Sequence, residues 1–116
     1  MRLGYDADVL WAFGFALTLL CELPVYVLAL RRPLGGTVRA LAVGVAVNVA
    51  THPLAWTLAI GHVLPWLAIE ASVTVAEAAL LFAAARALGR RLPVHESLLV
   101  ALAANALSAG VGLVVL

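Results

Sequence analysis

The sequence predicts an all-α integral membrane protein, a bundle of four transmembrane helices arranged as two tandem helical hairpins. Two observations lead to this prediction. Apolar residues make up 66% of the 116 residues and charged residues only 11%, so a water-soluble globule could not cover its apolar surface. The apolar residues also fall into four long stretches, which turn residues and arginines separate.

Each apolar stretch is long enough to cross a hydrocarbon core of about 30 Å, which takes roughly 20 helical residues. The predicted spans are 9–30, 40–60, 64–87 and 98–116, and together they form one transmembrane domain over residues 1–116. The first stretch is too long for the apolar region of a signal peptide and ends in two arginines, so we expect it to remain as a span.

Short turns join the predicted spans. The turn at 31–39 contains a proline and two adjacent glycines, the turn at 61–63 is shorter, and residues 89–96 contain another proline. Glu96 and Ser97 suit the start of the fourth helix, where acidic and capping side chains are favoured.

The arginines predict the orientation of the chain. All seven basic residues are arginines; six lie in or beside the two arginine-rich loops, 31–39 and 86–96, and the seventh lies in the N-terminal tail. Positive charge marks the cytoplasmic side of a membrane protein. We therefore expect both termini outside the cytoplasm, the two loops inside it, and a bacterial-type plasma (inner) membrane as the location.

Polar side chains recur at one depth inside the spans. Glu22, Asn48, Glu77 and Asn105 each lie nine residues from a charged residue of the nearer arginine-rich loop, which is about 13–14 Å along a helix. A carboxylate at mid-bilayer costs about 2.5–3.5 kcal/mol even on the lenient insertion scale, and such residues usually have a function. One polar residue from every helix therefore shares a layer near mid-membrane.

A second polar layer lies roughly 5–10 Å further from the arginine-rich loops. Within each helix the polar residues are three or four positions apart, so they share a face that we expect to turn inward. Together the layers form the candidate site for an ion, a proton or a small ligand: Glu22, Asn48, Thr51, His52, Glu70, Thr74, Glu77, Asn105 and Ser108.

An internal repeat explains the matched depths. A shift of 55 positions places Glu22 on Glu77, and two further positions place residues 48–51 on 105–108. This predicts two copies of one hairpin, within 9–60 and 64–116, related by an axis along the membrane normal. Such a bundle would bring the two glutamates to one central site.

Three functional hypotheses remain open. The preferred one is proton- or cation-linked transport or binding, with the two repeat glutamates as exchangeable carboxylates and the two asparagines as their orienting partners. The second is a structural or accessory subunit of a membrane complex, whose polar layer only fixes helix packing. The third is a divalent metal site or a small membrane enzyme that uses His52 and Glu70, because imidazole and carboxylate ligands suit Zn²⁺ or Mn²⁺. These two residues have no counterparts in the repeat and are placed to pair with each other.

The remaining expectations concern cofactors and partners. The sequence contains no phosphate-binding loop, no nucleophile–base motif and no nucleic-acid footprint, so an enzyme is the less favoured class. Apart from the metal we expect no cofactor and no nucleic-acid partner. Besides the lipid bilayer we expect a homo-oligomer or a larger membrane complex, because four helices enclose little volume.

Overall fold

A computed structural model describes residues 7–60 and 65–115, and these residues form four α-helices. The helices are α1 (Ala7–Leu30), α2 (Thr37–Ile60), α3 (Trp66–Ala87) and α4 (Val94–Val115). With 22 to 24 residues each, they are about 33–36 Å long. The predicted turn at 61–63, both ends of the chain and the predicted start of the third span at Leu64 lie outside the described residues.

The outer surface of the bundle is apolar. All four helices are long and apolar enough to cross a membrane, yet only 17–33% of each apolar window is buried inside the bundle. Large side chains such as Leu20, Leu28 and Val114 are exposed instead. A surface of this kind would aggregate in water, whereas lipid solvates it. The prediction of a multi-pass helical membrane bundle is confirmed.

Each helix packs against two neighbours and stands diagonally opposite the third. α1 and α3 each contact α2 and α4, but within the described ranges no Cα atoms of α1 and α3 come within 8 Å of each other. The chain runs up and down, so the turns 31–36 and 88–93 share one end, here called the arginine end. The opposite end, where the described chain starts and stops, is called the terminal end.

Both turns at the arginine end contain a glycine with a left-handed backbone conformation. Gly35 has a φ of +90° and Gly89 a φ of +68°, values that favour glycine. In each turn the next residue donates its amide N–H to a carbonyl five positions earlier, at 2.6 Å in the first turn and 2.8 Å in the second. This bond is typical of the Schellman motif that ends many helices.

Three helices begin earlier than predicted, and α1 begins two residues early, at Ala7. α2 begins at Thr37 and α4 at Val94, three and four residues before the predicted starts at 40 and 98. The glycine-closed turns are short, so polar residues assigned to the loops already have helical backbone. An acidic residue does lie in the first turn of α4, as predicted. Ser97 is not a cap, since its hydroxyl donates to the carbonyl of Pro93 at 3.2 Å.

The arginine end is the tightly packed half of the bundle. Its core consists of side chains that are at most 5% exposed: Tyr26, Leu30, Leu34, Ala40, Leu81, Ala85, Leu92 and Ala101. Arg90 ties the two turns together, because its Nε donates to the carbonyl of Pro33 at 2.8 Å and its Nη2 to that of Arg32 at 3.1 Å.

Candidate functional site

The terminal half of the bundle encloses a cavity of about 550 Å³ that all four helices line. Small-ligand sites typically have volumes of about 300–1,000 Å³. Eight of the nine predicted site residues line this cavity: Glu22, Asn48, Thr51, His52, Glu70, Glu77, Asn105 and Ser108. The ninth, Thr74, is not among the lining residues, and its hydroxyl donates to the main-chain carbonyl of Glu70 at 2.8 Å.

Two carboxyl groups form the floor of the cavity. Glu22 comes from α1 and Glu77 from α3, each is 1% exposed, and their carboxyl groups are within hydrogen-bonding reach of each other. The backbones of these two helices do not approach closely, so only long side chains can meet at the bundle axis. The floor is therefore built by glutamates from diagonal helices.

Glu77 is held by side chains of two other helices. The hydroxyl of Tyr26, a fully buried residue of α1, donates to Oε2 of Glu77. The side chain of Asn105, on α4, is also within hydrogen-bonding reach of this carboxyl group. With these partners and the neighbouring Glu22, Glu77 is fixed in position.

Glu22 has a different environment. The hydroxyl of Ser108 donates to its Oε2 at 2.6 Å, which joins α1 to α4. Its other oxygen, Oε1, is buried and has no hydrogen-bond partner among the described residues. Buried polar atoms without partners are rare in folded proteins, and each one calls for an explanation such as a bound water or ion. A proton shared with the neighbouring Glu77 carboxyl group, or a bound water or ion, would satisfy Oε1 of Glu22.

The asparagines do not act as an equal pair. The amide groups of Asn48 and Asn105 each donate to the carbonyl one turn earlier in their own helix, Gly44 and Ala101, both at 2.9 Å. Asn105 also reaches Glu77, whereas no hydrogen bond joins Asn48 to a glutamate in the part of the chain that the structure describes. A carbonyl on the same helix satisfies the Asn48 donor without any partner helix.

The imidazole of His52 lies among aromatic rings. Its ring centroid is 4.8 Å from that of Phe15 and 5.6 Å from that of Trp11, both on α1. The Nε2 atom is buried without a hydrogen-bond partner within the described ranges, so the expected pairing with Glu70 is not made through this nitrogen. Both residues nevertheless line the cavity.

The metal hypothesis depends on how many ligand side chains converge at one place. Among residues 7–60 and 65–115 no three His, Cys, Asp or Glu side chains converge into a group that could hold a metal ion. Catalytic zinc sites ordinarily use three protein ligands. Metal binding by His52 and Glu70 stays a prediction.

Three further residues of the site were not among the predicted site residues. Tyr26 supports Glu77, and the side chains of Trp56 and Trp66 line the outer part of the cavity. Tyr26 could have been found, because it lies one helical turn after Glu22 and so shares its face. The tryptophans lie near span ends, where an aromatic belt at the lipid interface is the ordinary interpretation.

No protein-family model, characterised protein or solved structure matches this chain. The chemistry available to the site follows from its own atoms. Two adjacent carboxyl groups, one of them with a free oxygen, can bind a cation or exchange a proton.

Proposed function

We propose that the protein binds a cation or protons at the Glu22–Glu77 pair and couples this binding to transport, or to the binding of a small ligand in the cavity. One observation carries the proposal: a buried carboxylate oxygen without a partner, Oε1 of Glu22, belongs to a residue that lines the cavity. The packed core at the arginine end separates this site from the opposite side of the bundle.

The charge of the lining favours a cationic ligand. Three glutamates line the cavity, and no lysine or arginine is found among its described lining residues. Two carboxyl groups side by side in apolar surroundings repel each other when both are ionised. A bound cation or a shared proton removes this repulsion, so occupancy of the pair responds to cations and protons together.

The contacts suggest different roles for the two glutamates. Glu22 exchanges the cation or proton, because only one of its oxygens accepts a hydrogen bond from a described hydroxyl or amide donor. Glu77 positions the pair, because Tyr26 and Asn105 hold it. Glu70 and His52 form a second, outer site on the cavity wall.

Burial supports the proposed repeat of two hairpins. Positions that correspond under the shifts of 55 and 57 residues are buried in both halves: 22 and 77, 26 and 81, 30 and 85, 40 and 97, 44 and 101, 47 and 104, and 48 and 105. The partners of the two glutamates break this symmetry, since Tyr26 corresponds to Leu81.

We also propose that the arginine end faces the cytoplasm and the cavity opens outward, since positive charge marks the inner side. Passage to the cytoplasmic side would require the packed arginine end to separate. A homo-oligomer or a larger membrane complex would supply the additional helices for such a path.

The test measures protons released when Na⁺, K⁺ or Mg²⁺ is added to the protein in unbuffered phosphatidylcholine nanodiscs. We expect release from the wild type, loss of release in Glu22→Gln and reduced release in Glu77→Gln. Glu96→Gln is the matched control, because Glu96 is exposed at the start of α4, outside the cavity. Equal release from all four proteins would contradict the proposal.

A structural role is the second candidate, and two contacts favour it. The Tyr26–Glu77 and Ser108–Glu22 hydrogen bonds each join α1 to another helix, as a packing device would. This candidate predicts that the glutamine variants keep the cellular function, whereas Asn105→Leu weakens folding or assembly. Measuring both properties in the same variants separates the two candidates.

A further inference from the structure

A second cavity, open on the outer surface of the bundle, lies at the arginine end, remote from the glutamate pair. It has a volume of about 400 Å³ and is lined by three arginines of the α3–α4 region, Arg86, Arg90 and Arg91, with Phe82 and Leu92 among the apolar lining residues. The proposed cation site does not involve any of these residues.

The three arginines are not paired with carboxylates in the part of the chain that the structure describes. The guanidinium of Arg86 lies 6.0 Å from the ring centroid of Phe82, and Arg90 donates to main-chain carbonyls of the first turn. Within the described ranges none of the three forms an ion pair with a carboxylate. The cavity therefore presents concentrated positive charge that an anion would neutralise.

The position of this cavity in the bilayer restricts the anion. The turn 88–93 joins two membrane-spanning helices, so the cavity lies where the hydrocarbon core gives way to lipid headgroups. The apolar side chains of Leu88 and Val94 are exposed beside it. A ligand with an anionic head and an apolar tail fits such a surface, with its phosphate among the arginines and its acyl chains along the helices.

We propose that this cavity binds the headgroup phosphate of one anionic phospholipid. Guanidinium groups form paired hydrogen bonds with phosphate oxygens, which gives this contact geometric specificity as well as charge. Arg86 and Arg91 make the contact, while Arg90 remains engaged with the first turn.

The test compares two double variants that lose the same charge. One is Arg86→Gln with Arg91→Gln. The control is Arg31→Gln with Arg32→Gln, which changes two exposed side chains of the first turn that do not line the cavity. Native mass spectrometry of detergent-solubilised protein measures bound phosphatidylglycerol against bound phosphatidylcholine, and a parallel titration uses inorganic phosphate. Thermal unfolding verifies that both variants are folded.

We expect the wild type to retain one phosphatidylglycerol in preference to phosphatidylcholine. The cavity variant should bind this lipid at least about 10-fold more weakly, because it loses charge-assisted hydrogen bonds to the phosphate. The control keeps these bonds and should stay within about two-fold of wild type. Equal losses in both variants would overturn the proposal, because they indicate diffuse attraction. Displacement of the lipid by millimolar inorganic phosphate would also overturn it, because the site would then take a free anion.

Discussion

Replacing Tyr26 with phenylalanine removes the only side-chain hydroxyl that bridges α1 and α3 within the described ranges. Tyr26 is fully buried, and its hydroxyl donates to Oε2 of Glu77. Phenylalanine keeps the ring in the core, so the substitution creates almost no cavity and isolates the loss of one hydrogen bond.

The expected loss of stability is about 1–1.5 kcal/mol. Hydrogen bonds to charged groups contribute about 1.5–3 kcal/mol in soluble proteins, whereas those between transmembrane helices average about 0.6 and reach about 1.7 kcal/mol. Tyr26→Phe belongs in the upper part of the membrane range, because the carboxyl group of Glu77 is buried and loses a hydroxyl donor. Asn105 remains beside Glu77 and limits the loss.

The assay is reversible unfolding in mixed micelles as the fraction of sodium dodecyl sulfate is raised, followed by circular dichroism. Thr74→Val is the matched control. Like Tyr26→Phe, this substitution removes one hydroxyl group. The Thr74 hydroxyl is half-buried and donates only within its own helix, to the carbonyl oxygen of Glu70 at 2.8 Å. We expect the control to change the free energy of unfolding by less than about 0.5 kcal/mol.

A double-mutant cycle of Tyr26→Phe with Glu77→Leu isolates the contact itself. We expect a coupling free energy of at least about 0.6 kcal/mol. The reasoning would be refuted if Tyr26→Phe were no more destabilising than Thr74→Val and the cycle gave no coupling.

Three further predictions concern packing, the turns and the orientation. Gly44→Ala should lower stability by about 1 kcal/mol, because its Cβ would lie 3.0–3.1 Å from side-chain atoms of α1, whereas Gly110→Ala, with nothing within 4 Å, should cause no loss in the same unfolding assay. Arg90→Ala should lower the free energy of unfolding by about 1 kcal/mol and speed hydrogen exchange of the first-turn amides, because it removes two hydrogen bonds between the turns. Arg91→Ala should change neither the stability nor the exchange rate. His95→Cys, at an exposed position and in a chain whose Cys21 has been replaced, should react with a membrane-impermeant maleimide only after cells are permeabilised. Labelling in intact cells would contradict the proposed orientation.

Most of the residues that depth and helical face placed together also line one cavity. The nine-residue spacing from the loops placed the two glutamates at one level, and the three-to-four spacing placed Ser108 on the same face of α4 as Asn105. The structure brings Glu22, Glu77, Asn105 and Ser108 together. Thr74 shows the limit of face counting, since it lies between Glu70 and Glu77 on α3 but does not line the cavity.

Contacts that depend on how the helices are arranged around the axis could not be predicted. The hydrophobic pattern does not show that α1 and α3 stand diagonally opposite each other. The hydrogen bond from Tyr26 to Glu77 therefore could not be predicted from it. The neighbour of His52 also depends on the helix arrangement. α2 adjoins both α1 and α3, and the imidazole packs against the ring of Phe15 on α1. The early start of α2 depends on the backbone of Gly35, which hydrophobicity alone does not reveal.

Infrared difference spectroscopy tests most directly whether the Glu22 carboxyl group exchanges a proton or cation from the cavity. Spectra of the protein in nanodiscs would be recorded with and without added cation and at two pH values. We predict a change in the carbonyl stretching band of a protonated carboxyl group that disappears in Glu22→Gln and persists in Glu96→Gln. A difference spectrum that is the same in the wild type and Glu22→Gln would contradict the claim.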